Sequence, residues 1–516
     1  MTSRERSLTA VARVNGSFAI LLAGGCAAIS PREHVQESIG LVEERTGLRP
    51  DWHAPWDALP PPWDGQSTLA LGDAVALALR NNRELRAELE TIGQANAQLV
   101  QAGLLQNPTL NLMAMFPEGG GRSMLRSSGF PLQPLQDLWL RPARKRVALA
   151  ELQQAVLRVA DRAVQIAADV KVLYARIQYT QRAIELTRAN IEIIDQTREL
   201  IRAQQIAGTA TLVEVNVAWI RSLRLQSELL TMQTEHKSLK RELLMQMGFA
   251  TASDAWGVAN LQGPDAEMEA PLPEEDLLGL ARAQRLDLQA AGWQVSAARH
   301  EVELMRKEGW PELALGLGFE RAPAPRSQNP QLSGRVGNAV AQAAQGGTGE
   351  GAPIMPFGPT EREIDWTVGP MLDVELPIFD RNQAQVARAF HEFRQTLAEY
   401  DAVWQSIASQ VRDSAVMYAQ AYEQVRFFRE AILPEVERNS EIVREAYRAG
   451  TEKVTILLQV QEDVITTQLE ALRFVRDALV TRAELERRVG GRLTLPDLTS
   501  EVPPDKHKAE QQDEPH

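Results

Sequence analysis

Apolar residues recur at every third or fourth position over long stretches of this chain. The clearest run spans residues 149–173, and its apolar members are Leu149, Leu152, Val156, Val159, Ala163, Ile166, Val170 and Leu173. This spacing is the heptad seam of a helix that packs against partner helices. Helical sequence extends over residues 141–208, a reach of roughly 100 Å at about 1.5 Å per residue. Residues 381–450 predict a second helix of this kind, with a kink rather than an end at Pro434.

A glycine follows each of the two long helices. Gly208 and Gly450 are positioned to supply the left-handed residue that ends a helix, and a new helical pattern restarts directly after each. Thr211 and Glu214 have the spacing of a capping box at the start of the helix after Gly208. The sequence therefore predicts two helical hairpins, with tips at Gly208 and Gly450.

The chain contains an internal repeat. Residues 69–112 align with residues 272–315 without a gap, at a constant offset of 203 (272 − 69). Further along, Gly208 corresponds to Gly450 at an offset of 242 (450 − 208). The second copy thus holds 39 extra residues (242 − 203), which we place in residues 321–360 because their Gly, Ala, Gln and Pro are typical of a loop.

The two copies predict the same series of elements. Each opens with a helix of roughly 35 residues that Pro108 or Pro311 brings to an end. Two strands follow in each copy, at residues 109–116 and 130–140 and at residues 312–319 and 366–376. In the last strand one face carries Trp366, Val368, Leu372, Val374 and Leu376, and the other carries Thr367, Gly369, Asp373 and Glu375. Such a face pattern is typical of a membrane barrel strand around a wet lumen, and a half-buried strand of a soluble sheet has it too.

Composition and charge narrow the class of protein. The chain has 516 residues, a formal net charge of −13 and 44% hydrophobic residues. This hydrophobic content argues against wholesale disorder. The negative charge argues against a nucleic-acid binder, because such a surface repels phosphates.

The N-terminus has the pattern of a secretory signal peptide. Three arginines precede a short apolar run at residues 18–23, and two glycines lead into Cys26, the one cysteine. The pattern predicts a lipoprotein-type cleavage site with a lipid on Cys26; the alternative is that Cys26 is an ordinary small residue of a signal peptide. No other stretch approaches the roughly 20 apolar residues of a membrane helix, so a membrane crossing requires strands in a closed barrel.

The sequence carries no pattern of catalytic or metal-binding residues. No two of the seven histidines are three or four residues apart, which excludes a helical metal pair. The glycine clusters at 119–121 and 346–349 lack the Lys-Ser/Thr of a phosphate loop. We therefore predict no enzyme activity, no cofactor and no metal site.

The predicted organisation follows from these features. It comprises a signal peptide (1–26), an irregular segment rich in Pro and Trp (27–66), the first repeat (67–250), a linker (251–271), the second repeat (272–491) and a disordered polar tail (492–516).

Three duplicated or ordered motifs make residues 69–491 resemble the TolC-like outer-membrane efflux proteins. The motifs are Asn107-Pro108 and Trp310-Pro311 at the helix–strand junctions, Leu376-Pro377-Ile378-Phe379-Asp380-Arg381 after the last strand, and Tyr447-Arg448-Ala449-Gly450-Thr451 at the second tip. The resemblance implies a mostly α fold of two repeats, each with long coiled-coil helices and a transmembrane β-hairpin. It further implies a homotrimer in which an α-barrel continues into a shared 12-stranded β-barrel. Four strands per chain agree with this, since they are too few to close a wide barrel alone.

The resemblance also implies partners and site residues. A periplasmic adaptor protein is expected to dock at the hairpin tips, through Ala207, Gly208, Thr209, Ala449, Gly450 and Thr451; the alternative is that each glycine only makes its turn. The family often has acidic side chains six and nine residues after the second glycine, where this chain has Ile456 and Gln459. This departure weakens the expectation of a carboxylate gate at the second hairpin, where Gln459 stays a candidate. In the first hairpin the sixth residue after Gly208 is Glu214, three copies of which could form a cation-attracting ring, although the capping box explains Glu214 equally well.

The expected function is a passive export duct. As the resemblance implies it, the chain is the outer-membrane subunit of a tripartite efflux system, embedded in outer-membrane lipid, extending into the periplasm and coupled to an inner-membrane pump. The lipid-anchor pattern favours a pump of the resistance-nodulation-division type, which exports small molecules or metal ions. The alternatives are a duct for type I polypeptide secretion and a soluble periplasmic coiled-coil adaptor.

Overall fold

The computed structural model describes most of the two predicted repeats. The described residues are 30–52, 63–115, 126–249, 256–261, 268–323 and 364–493. Cys26 with the predicted signal peptide, the tail beyond residue 493 and most of the predicted insertion 321–360 lie outside them.

The described part is mostly helical, with four strands, and its elements occur in the same order twice, as predicted. The first repeat contains α2 (Leu71–Asn81), α3 (Arg83–Ala102), β1 (Thr109–Met115), β2 (Arg126–Pro134), α4 (Asp137–Ile206) and α5 (Leu212–Gln246), after an N-terminal helix α1 (Arg32–Thr46). The second contains α6 (Glu274–Gln284), α7 (Leu286–Glu308), β3 (Glu312–Pro323), β4 (Ile364–Glu375), α8 (Gln383–Phe427), α9 (Leu433–Arg448) and α10 (Val454–Val489).

The residues group into two compact units. Unit 1 comprises the described residues within Met1–Val100, Ala148–Ala298 and Glu392–His516, and unit 2 comprises those within Gln101–Val147 and Arg299–His391. Unit 2 contains all four described strands. No helix in the described ranges is both long enough and apolar enough to span a membrane.

The heptad seam of α4 lies in the main hydrophobic core of unit 1. Seven of its eight predicted residues are buried, and Leu149 is the exception at 43% exposed. The buried members pack in one cluster with Leu85 and Ile92 of α3 and Leu243 of α5. Full burial of such a side chain stabilises the fold by about 1.5–3 kcal/mol, so the seam is a principal support of the helical packing.

The single opening helix predicted for each repeat is wrong, because each is broken in two. Asn82 separates α2 from α3, and Arg285 separates α6 from α7, with extended ψ angles of 126° and 113°. The Asn82 Oδ1 accepts hydrogen bonds from the backbone N–H of Glu84 and Leu85. That side chain therefore caps α3, and the continuous apolar pattern conceals the break.

The two breaks make equivalent long-range hydrogen bonds. Asn82 Nδ2 donates to the carbonyl of Gln246 at 3.0 Å, and the Arg285 guanidinium donates to the carbonyl of Arg488 at 3.1 Å. The donors are 203 residues apart (285 − 82) and the acceptors 242 (488 − 246), which are the two offsets of the repeat. In each copy the break is thus tied to the end of the last helix.

The segment 27–66, predicted to be irregular, contains α1. Ile39 and Val42 of this helix join the main core, and the Ser38 hydroxyl donates to the carbonyl of Val156 at 3.3 Å. The helix ends at Gly47, whose φ of 72° is left-handed. Charged residues outnumber apolar ones in this helix, so the sequence pattern conceals it, and contacts with α4 stabilise it.

Pro434 does not end the second long helix. The turn before it, Phe428–Ile432, is π-helical, and α9 continues directly from Leu433. Proline lacks the N–H for the usual bond and its ring clashes with the carbonyl four residues earlier. The wider π turn accommodates both effects, so the helical path continues through the proline as predicted.

Unit 2 contains an antiparallel sheet of order β1-β2-β3-β4. The predicted strand 130–140 is displaced, since β2 ends at Pro134 and α4 begins at Asp137. Leu140 and Ala143 are spaced for a helix and pack on Leu304 of α7. The residues from Asp137 onward therefore form helix α4 instead of extending strand β2.

Candidate functional site

The two predicted hairpin tips lie side by side in unit 1. Ile201 of α4, Ala218 of α5, and Val454 and Leu458 of α10 form one buried cluster beneath them. The Tyr447 hydroxyl donates to Gln204 Oε1 at 2.9 Å, and Arg221 pairs with Glu462 at 3.3 Å. Apolar packing and two polar contacts thus hold the first hairpin to the second.

Both tips have the same backbone geometry. Gly208 and Gly450 have φ angles of 85° and 73°. At the first tip the N–H of Gly208 donates to Gln205 and that of Thr209 to Gln204; at the second the N–H of Gly450 donates to Tyr447 and that of Thr451 to Ala446. This is the Schellman motif, which satisfies the last carbonyls of a helix. The glycines are present because of their backbone conformation.

All six predicted docking residues are exposed at these tips. The hydroxyls of Thr209 and Thr451 donate to the carbonyls of Gln204 and Ala446 at 3.1 and 2.9 Å. A Cβ added at Gly208 or Gly450 would meet no atom within 4 Å. The tips therefore present small side chains to solvent, with their polar groups satisfied inside the turn.

The structure adds apolar residues that the sequence analysis missed. Ile206, Leu212 and Val213 around the first tip are 78%, 64% and 69% exposed. Their equivalents at the offset of 242 are Arg448, the buried Val454, and Thr455. The first tip is thus more apolar than the second, a difference visible in the aligned repeats.

The two candidate gate residues have different environments. The Glu214 carboxylate accepts from the Thr211 N–H at 2.7 Å, and the Glu214 N–H donates to Thr211 Oγ1 at 3.3 Å. This is the predicted capping box, so capping alone accounts for Glu214 within one chain. Gln459 is exposed on α10. No hydrogen bond joins Glu214 to Gln459 among the described residues.

The sheet in unit 2 has one exposed apolar face. The register places Leu112 beside Gly129, Gly129 beside Phe319, and Phe319 beside Val368. The same face carries large side chains that are 40–70% exposed, namely Leu110, Leu112, Leu315, Leu317, Val368, Leu372 and Val374. So much contiguous exposed apolar surface marks a site of interaction with a partner or with lipid.

The opposite face is more polar. It carries Asn111, Glu320, Thr367, Asp373 and Glu375. Phe130 and Leu132 of β2 lie on this face as well. Among the described residues no group of three or more His, Cys, Asp or Glu is arranged to hold a metal ion.

Comparison with known proteins connects these features to one family. A family profile described as "Outer membrane efflux protein" matches residues 74–244 and 277–491. A search of curated proteins finds no match.

Several solved structures have a similar fold. A membrane protein from Pseudomonas aeruginosa is 18% identical with a TM-score of 0.62, and the alignment covers 86% of this chain and 97% of that one. The outer membrane protein VceC from Vibrio cholerae is 16% identical with a TM-score of 0.60, over 82% and 96%. The outer membrane channel MtrE of Neisseria gonorrhoeae, in its open state, is 15% identical with a TM-score of 0.61, over 86% and 96%.

Proposed function

The chain belongs to the outer membrane efflux protein family, and from that premise we propose that it is one subunit of a trimeric duct exporting small molecules or metal ions. It is an outer-membrane protein that extends into the periplasm and serves efflux as a non-enzymatic duct. The trimeric state, the partner proteins and the exported cargo are the properties that we propose beyond family membership.

The exposed apolar sheet face is the observation that carries the proposal. Leu112 and Val368 are 70% and 68% exposed. Exposure of these apolar side chains to water is unfavourable, whereas contact with lipid removes their apolar surface from water. The strands β1 and β4 each have one neighbour among the described residues. Strand edges left unpaired in lipid are unstable, which supports closure by strands of two further copies into a shared barrel.

The hairpin tips are the proposed docking site for a periplasmic adaptor. The supporting features are six exposed small residues and an exposed apolar group at the first tip. The adaptor connects the duct to an inner-membrane pump, for which we propose the resistance-nodulation-division type. Lipidation of Cys26 and a gate at Glu214 or Gln459 remain parts of the proposal.

Deletion of the gene and fractionation of the cell test this function. We expect the protein in the outer-membrane fraction as a trimer, and a deletion strain that is hypersensitive to some drugs or metal salts of a broad panel. Loss of a secreted polypeptide with unchanged susceptibility would instead favour type I secretion. A soluble monomer would exclude the duct.

Substitutions at the tips test docking separately. Ala207→Arg combined with Ala449→Arg places two long charged side chains on exposed small positions, so we expect loss of export with the trimer retained. Gln196→Arg, at an exposed position of α4 away from the tip, is the matched control and should export normally. Normal export by the tip variant would exclude these residues from docking.

A further inference from the structure

A cleft of about 420 Å³ lies in unit 2, where helices meet the sheet. Its lining includes Trp139, Trp310 and four carboxylates, those of Glu308, Glu312, Glu375 and Asp380. This volume suits a small organic molecule. The cleft is separate from the hairpin tips, which belong to unit 1.

The two tryptophans form an aromatic wall that solvent reaches. Their ring centroids are 6.0 Å apart with an interplanar angle of 40°. Trp310 is 54% exposed, and Trp139 is half-buried. Indole faces attract cations more strongly than other side-chain rings do.

Two of the carboxylates oppose each other in the sheet. Glu312 of β3 is the direct register partner of Glu375 of β4. Like charges at directly opposite positions destabilise a sheet. Neither glutamate makes an ion pair within the ranges that the structure describes. The pair therefore lowers the stability of the sheet unless a cation lies between or beside the two side chains.

The basic residues of the cleft do not balance its acids. Arg144 is paired with the buried Asp137, so its charge is already matched. Lys307 is then the one remaining basic residue of this lining, beside four carboxylates. Burial raises the pKa of Glu308, with the nearby Arg144 opposing this shift. The lining therefore carries more acidic than unpaired basic side chains, and its four carboxylates are exposed to solvent.

We propose that this cleft binds an organic cation with a flat aromatic or apolar body. The tryptophans pack on its body, and Glu312 and Glu375 compensate its charge. Both glutamates lie on the polar face of the sheet. The next step rests on the duct proposed above. If the polar face of the sheet lines the lumen of that duct, the cleft is a site through which cargo passes, and amphiphilic organic cations are among the cargo.

Binding of ethidium to the full-length protein in a neutral detergent tests the proposal. We expect saturable binding by fluorescence anisotropy, no binding of the anionic dye fluorescein, and weaker ethidium binding at high salt. Glu312→Gln combined with Glu375→Gln should weaken binding about tenfold or more, and Trp310→Leu should weaken it as well. Asp373→Asn, on the same face but outside the cleft lining, should bind as the wild type does.

Two results would overturn the site: no ethidium binding by the wild type, or equal loss of binding in Asp373→Asn and the double glutamine variant. The double variant removes a repulsion, so its unfolding temperature should be at least that of the wild type; a large decrease would contradict the repulsion argument. A protein that restores drug export to the deletion strain but does not bind ethidium refutes the cleft alone. A protein absent from the outer membrane refutes the duct itself.

Discussion

Two glycines in similar turns are required for different physical reasons. Gly208 and Gly248 both have left-handed φ angles, 85° and 82°. A Cβ at Gly208 would contact nothing within 4 Å, whereas a Cβ at Gly248 would lie 2.5 Å from the carbonyl oxygen of Asn81. The first needs glycine for its conformation, and the second needs it also for close approach to the helix break.

We expect Gly208→Ala to be tolerated better than Gly248→Ala. Gly208→Ala forces an alanine into the left-handed conformation, which destabilises the folded state by about 1–2 kcal/mol. The second adds a steric clash with backbone that cannot move freely, so its unfolding temperature should be clearly lower. Thermal unfolding of both purified variants measures this, and equal destabilisation would contradict the steric argument.

A half-buried acid, Asp161, predicts a specific pH dependence. Burial raises the pKa of Asp161 to about 6 from an ordinary value of 3.8, with the Asp287 carboxylate adding to the shift and Arg285 opposing it. The folded protein therefore holds this proton more tightly than the unfolded chain does. The resulting stability is fully present below pH 3.8 and is lost as the pH rises through about 6.

Asp161→Asn should consequently stabilise the protein at neutral pH. We expect a gain of about 1–3 kcal/mol at pH 7.5, seen as a higher unfolding temperature, and little difference from wild type near pH 4. Glu192→Gln, an exposed carboxylate on the same helix, is the control and should change little at either pH. A gain that persists unchanged at low pH would argue against the raised pKa.

At the scale of elements, local periodicity predicts the long helices well and their interruptions poorly. The seam of α4 is buried as its spacing indicates. The breaks at Asn82 and Arg285 occur inside equally regular patterns, and a side-chain cap and distant carbonyls stabilise them. Where the apolar pattern continues without interruption, a side chain that forms hydrogen bonds therefore determines the position of the helix break.

Asn82→Ala should destabilise the first repeat. It removes the cap of α3 and the bond to Gln246, at a cost of about 1–2 kcal/mol. Asn82→Asp keeps an acceptor for the N–H groups of Glu84 and Leu85 but lacks the donor to Gln246, so we expect an intermediate unfolding temperature. Identical behaviour of the two variants would show that the cap contributes nothing.

At the scale of the whole molecule, the sheet faces decide where the protein can reside. Leu372 is 61% exposed on the apolar face, and Asp373, the next residue, is on the opposite face. An arginine on a lipid-facing side costs about 2–4 kcal/mol at the membrane midplane and less near the interfaces. An arginine facing a wet lumen carries no such cost.

We therefore expect Leu372→Arg to reduce the amount of trimer in the outer membrane and Asp373→Arg to leave it nearly unchanged. Gel analysis of unheated outer-membrane samples measures both. Equal amounts of trimer for the two variants would show that the apolar face is not in lipid.

The sequence by itself determined the features whose cause is local. Helix seams, glycine turns, the capping box of Glu214 and the strand faces depend on residues that are near each other along the chain, so spacing alone reports them. Duplication strengthened the predictions of the glycine turns and of the order of the elements, because the two copies support one another.

Only the tertiary structure decided the features that depend on distant contacts. Asn82 and Gln246 are 164 residues apart, and Ser38 and Val156 are 118 apart. The opposition of Glu312 and Glu375 required the strand register. No periodicity within one element reports which other element will pack on it, and that packing set the helix breaks, helix α1 and the acidic cleft.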